Sequence, residues 1–110
     1  MFHYTNEKRY KAINSQVVWL FKASKPPCDH PKGAYFSTLP PGTKNLNKRL
    51  FVRGCAEKAK FVFSFSGGED LQRLRGGRGN HVYCSADDYA VVKGRQGPHG
   101  ETDKVKEELG

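Results

Sequence analysis

The chain has 110 residues, enough for one domain with a single core. Nineteen Lys and Arg against eleven Asp and Glu give a formal charge of +8 and a pI near 9.6, which favours an anionic partner: nucleic acid, a nucleotide or an anionic lipid. No apolar run long enough to cross a bilayer occurs, and the first residues lack the basic-then-apolar order of a signal peptide; a soluble monomer of the cytoplasm or nucleus, away from membranes, is expected.

In FHYT, residues 2–5, Phe2 and Tyr4 alternate with His3 and Thr5, a short strand with one side for a core and one for a cleft. Asn6 then precedes EKRYKAINS, where Tyr10 and Ile13 fall three apart among charges; this spacing predicts a short amphipathic helix capped by Asn6. QVVWLFKAS is apolar and rich in β-branched and aromatic residues, so a strand or extended segment, and the three prolines of KPPCDHPKG end it. AYFSTL is a second strand, stopped by PPGT, and KNLNKRLFV has room for a helical turn. KFVFSFS alternates strictly, with Phe61, Phe63 and Phe65 on one face. GGEDLQRLRGGRG is a basic, glycine-rich connection into HVYCSADDYAVV, read as two short strands around a turn at Ala86 and Asp87. From residue 93 onward the sequence offers few apolar anchors, so residues 93–110 are expected to be a weakly held polar tail behind a domain of residues 1–92.

This order gives an α+β domain with a mostly antiparallel sheet and one or two short helices near the N-terminus. Three widely spaced cysteines, Cys28, Cys55 and Cys84, do not make a complete disulfide framework, and reduced thiols are expected. Cys28 and His30 could offer two zinc ligands, yet no CxxC or HxxxH supplies the others, and no metal is expected. GGRG at 76–79 leads into a strand instead of opening a helix, which excludes a dinucleotide-binding βαβ unit and a phosphate loop of the nucleotidase type.

FHYT, the helix after it, INS and KAS, then GAYFSTLPPGT, KRLF and KFVFSFS, in that order across residues 2–92, resemble the ADP-ribosyltransferase toxin family named for its His-Tyr-Asp signature. The resemblance implies two small sheets around an NAD cleft and transfer of ADP-ribose from NAD, as co-substrate, to a protein or nucleic-acid acceptor, with release of nicotinamide. It implies that His3 bonds a ribose hydroxyl on the adenosine side and that the backbone of Tyr4 or Thr5 clamps the nicotinamide amide. By the same resemblance Tyr35 stacks on the nicotinamide ring, as an aromatic face suits a cationic pyridinium, and Ser24, more than Ser15, lies near ribose and phosphate. Lys22, Lys25 and Arg49 are candidates for the pyrophosphate. An acid late in the chain should stabilise the oxocarbenium-like ribose; Asp88, then Asp87, are chosen, with Glu69 and Asp70 behind them. The chain departs from the signature at Thr38, where the family commonly carries an aspartate, and in FSFSGGED, where serines and glycines replace an acid-x-acid strand.

A second reading, from a different class, is a catalytically weak or inactive nucleic-acid-binding module. KRLFVRG and RLRGGRGNHVY interleave arginine with glycine and aromatic residues, a composition suited to a phosphate backbone and stacked bases. A third, a small phosphoesterase or ribonuclease using His3, His30 or His81, lacks a catalytic pair at a recognisable spacing.

Overall fold

FHYT becomes the centre of the molecule. In a computed structural model, which describes residues 1–23, 33–50, 56–73 and 81–109, β1 (Phe2–Thr5) lies inside a six-stranded sheet with β3 (Ala34–Ser37) on one side and β4 (Phe61–Phe65) on the other. Strands β6 (Val82–Ser85) and β5 (Gln72–Arg73) continue the sheet beyond β3, and β8 (Gln96–Glu101) closes it beyond β4. A second sheet pairs β2 (Trp19–Phe21) with β7 (Tyr89–Val91). All these pairings are antiparallel, so the α+β, mostly antiparallel expectation holds.

The alternation in KFVFSFS explains the layering. Phe63 and Phe65 point to one face and join Trp19, Phe21, Phe36, Tyr89 and Val91 in the main core between the two sheets. The rings interlock mainly edge to face, Trp19 on Phe63 at 4.7 Å and Phe21 on Phe36 at 5.4 Å, the arrangement the ring quadrupole favours. Helix α1 (Glu7–Asn14) begins where expected: the Asn6 side chain accepts the Arg9 amide at 2.9 Å. Tyr10 of α1 stacks on Phe61 and Phe63 at 4.8 and 4.9 Å, which lays the helix over the end of the core. A short α2 (Leu46–Arg49) falls in KNLNKRLFV. The strands either side of Ala86 and Asp87 do not pair with each other; the turn hands the chain from one sheet to the other.

One expectation is corrected. Residues 93–109 are not a loose tail: a 3-10 turn at Lys93–Arg95 leads into β8, and α3 (Thr102–Leu109) follows, a third helix far from the N-terminus. QGPHGE has the composition of a loop, but as an edge strand it tolerates Pro98 and uses its glycines for close approach. A Cβ on Gly97 would sit 2.9 Å from the Ser64 hydroxyl oxygen, and Gly100 has φ +138°. Helix α3 is held by one buried apolar anchor, Val105 at 1% exposure, and by Thr102, whose hydroxyl donates to the Ala59 carbonyl and whose amide donates to that of Lys60.

Candidate active site

Strands β1 and β3 meet at a single register pair, Phe2 with Ser37. Beyond it they diverge, and the imidazole of His3 spans the gap, Nδ1 lying 2.9 Å from the Tyr35 carbonyl oxygen. A carbonyl only accepts, so Nδ1 carries the proton and donates it. Burial against Phe21, Phe36 and Phe63 keeps the ring neutral and pulls its pKa down to about 4. Nε2 is therefore a bare acceptor. It has no hydrogen-bond partner among the described residues, and none of their buried side-chain nitrogens or oxygens lacks one, so Nε2 opens into the cleft beside it.

That cleft encloses about 430 Å³. Its walls are apolar, with Ile13 and Ala12 of α1, Leu20 and Phe21 of β2 and Ala34 of β3, and its cations are Arg9 and Lys22. Gly33 forms its far corner because a Cβ there would lie 2.7 Å from the Ser85 carbonyl oxygen, so the chain passes too close for any side chain. The combination of apolar walls, two cations and one bare acceptor suits an amphiphilic anion with hydroxyl groups.

His3 and Tyr35 both border this cleft, but their rings leave the sheet from opposite faces, against the expectation that both side chains grip one NAD molecule. His3 packs on Phe36 at 5.5 Å, whereas Tyr35 follows the alternation to the face of Ser37 and Val82. Tyr35 meets His3 through its carbonyl. Tyr4 is likewise turned to the second face, where its hydroxyl donates to the Leu39 carbonyl at 2.6 Å and burial pushes its pKa up. Thr5 is buried. The edges of Tyr4 and Thr5 that face the gap have no register partner on β3, so their backbone, not their side chains, is what borders it.

The acids are distributed unequally. Asp88 lies one step past the Phe21–Tyr89 pair, next to Lys22 in the register, and its Oδ1 accepts the Ala23 amide at 2.8 Å. One carboxylate oxygen thus ties down the strand end that carries Lys22, and Asp88, exposed like Asp87, is not among the residues that line the cleft. Asp87 is exposed at the turn. Asp70 serves structure: it accepts the Tyr89 hydroxyl at 2.7 Å, and Arg95 donates to the same hydroxyl at 2.8 Å while lying over the Phe65 and Tyr89 rings. Glu69 sits in the same turn and lines neither cavity described here. Ser24, Lys25, Cys28, His30 and Cys55 lie outside the described residues; Cys84 is a free thiol whose pKa burial raises. Ser15 donates to the Ala12 carbonyl and ends α1.

Sequence reasoning overlooked a second cavity of about 370 Å³ on the other face of β1 and β3. Phe2, Tyr4, Tyr35 and Val82 wall it, Arg9 and Lys58 reach it, and Ser37 and His81 lie at its base. Ser37 Oγ accepts the Leu39 amide at 3.0 Å and lies 3.0 Å from His81 Nδ1. His81 is buried, and desolvation lowers its pKa; a bond to the Arg49 backbone opposes this and the Arg49 charge adds to it. The serine and histidine are far apart in sequence and become neighbours only because β3 pairs with β6. Comparison with family models, with curated proteins and with solved structures finds no match to this chain, so its site stands on its own geometry.

Proposed function

We propose that the protein binds NAD in the His3 cleft and transfers ADP-ribose to an acceptor, as a mono-ADP-ribosyltransferase-like enzyme. The observation that carries this reading is His3: a neutral imidazole whose proton is committed to the Tyr35 carbonyl and whose Nε2 opens into the cleft as an acceptor for a ribose hydroxyl. Arg9 and Lys22 line the cleft and can supply charge-assisted donors to a pyrophosphate. The clamp that the signature resemblance implies would use the backbone of Tyr4 or Thr5, which have no register partner on β3. The ring of Tyr35 lies on the far face of the strand pair, so the stacking on nicotinamide that the resemblance implies is not part of this reading.

In the reaction, the bond between ribose C1 and the nicotinamide nitrogen breaks and its electron pair neutralises the pyridinium. The acceptor oxygen or nitrogen forms the new bond to C1 and loses its proton to solvent. Positive charge grows on the ribose between these events, and Asp88 is the acid assigned here to stabilise it. No residue is needed to deliver an electron or a metal.

Two measurements test the reading. NAD should raise the melting temperature in a concentration-dependent way, because a ligand bound only by the folded state stabilises it, and His3→Ala should abolish the shift. Nicotinamide release should then be followed with protein and nucleic-acid acceptors. A wild-type melting temperature indifferent to millimolar NAD would remove the cleft as an NAD site.

A further inference from the structure

We infer that the second cavity, on the far face of β1 and β3, is a recess for one nucleotide of a single-stranded nucleic acid; this binding does not depend on the transfer proposed above. Three independent features point to a nucleotide. The walls are aromatic: Phe2 and Tyr4 stand on the same face with ring centroids 6.4 Å apart, and Tyr35 faces them. Aromatic walls accept the flat face of a base whatever its sequence. Among the described residues its cations are Arg9, shared with the His3 cleft, and Lys58, which lines the recess and not that cleft; both are exposed with no ion pair among those residues, so Lys58 is available to a phosphate. The base of the recess, Ser37 with His81, is neutral and already hydrogen-bonded, which makes it a polar floor for a base edge and not an acid–base engine. Ser37 cannot act as a hydrolytic nucleophile with the Leu39 amide as its oxyanion donor, because Ser37 itself occupies that amide.

The recess and the His3 cleft share Tyr4, Arg9 and Tyr35, the residues around the gap between β1 and β3. The two cavities lie on opposite faces of this strand pair, with the His3 imidazole across the gap between them. The net charge of +8 favours an anionic partner over the whole surface, and a single strand is required because a base locked in a duplex has no free face to stack.

Binding of a fluorescein-labelled single strand of about twelve nucleotides, followed by anisotropy at fixed salt, tests this on the full chain. Lys58→Glu should weaken binding by about tenfold, whereas Lys93→Glu, the same charge change at a residue lining neither cavity, should weaken it by less than about threefold. A strand of abasic residues should bind about tenfold more weakly than the intact one. Lys58→Glu should leave the NAD-induced rise in melting temperature intact, and unchanged circular dichroism shows that it folds. Equal losses in Lys58→Glu and Lys93→Glu, or equal affinity for the abasic strand, would overturn the recess and leave only diffuse attraction. If the strand results hold while NAD gives no thermal shift, the transferase reading fails and the nucleotide recess stands. If NAD shifts the wild type while no strand binds, the reverse is true.

Discussion

His3 shows how one side chain can be both a structural bridge and a chemical tool. Its ring is packed among phenylalanines, and its pKa of about 4 lies below the ordinary 6.5. Above pH 6.5 folded and unfolded chains both carry a neutral ring, and its contribution is complete. As the pH falls from 6.5 towards 4, the unfolded chain takes up a proton that the folded one refuses, so stability drops by roughly 2–3 kcal/mol from this residue alone. His81, lowered by burial, acts in the same direction. His3→Phe, which keeps the ring packing, should flatten the acid limb of a plot of denaturation midpoint against pH; an unchanged limb would show that His3 titrates normally in the fold. Asp88 separates its two roles in a similar way. Asp88→Asn retains an oxygen for the Ala23 amide, so melting should move little, while nicotinamide release should slow by about 10²-fold if its charge stabilises the ribose. Equal turnover would pass the acid's role to Asp87 or leave the site without one. At this scale the sequence was informative where the signal is local. Asn6 is legible because the amide it caps is three residues away, whereas the packing of His3 on Phe21, Phe36 and Phe63 and the Ser37–His81 bond are invisible until distant strands meet.

At the scale of elements, composition and alternation located β1, β2, β3, β4, β6, β7, α1 and α2, since each satisfies its pattern within a few residues. They failed at β5, read as part of a connection, and at β8 and α3. Strand propensity is a statement about fit to a half-buried surface, and QGPHGE fits because Ser64 on β4 leaves no room for anything larger than glycine at position 97. Pairing with β4 overrides a sequence that would otherwise read as coil. Val105→Ala should therefore lower stability by roughly 2 kcal/mol despite its place near the end of the sequence, as chemical denaturation can measure; a loss near zero would restore the picture of a loose tail. Gly33→Ala should cost a similar amount through overpacking, roughly 1–3 kcal/mol, because the Ser85 carbonyl is backbone and cannot swing aside. The same substitution at Gly94, with open space around its Cβ position, is the control.

For the whole molecule, the two sheets and the gap between β1 and β3 are what turn scattered residues into two facing cavities. The sequence showed a basic protein with an aromatic core, and it could not show which cations meet which cavity, because Arg9, Lys22 and Lys58 are separated along the chain and differ only in where their elements dock. The place of β1 has a further consequence for how the chain reaches this form. Phe2 is paired with Ser37 and with Ser64, and β4 in turn is paired with β8 near Gly100. As the chain emerges from the ribosome, β1 has neither of its sheet neighbours until β3 appears and is not enclosed until β4 follows. The contacts that define the core therefore bridge long loops, which slows folding relative to a helical domain of equal size. Between the synthesis of β1 and that of β4, an aromatic segment is incompletely paired, an interval in which it is open to chaperones or to the same segment of another nascent copy.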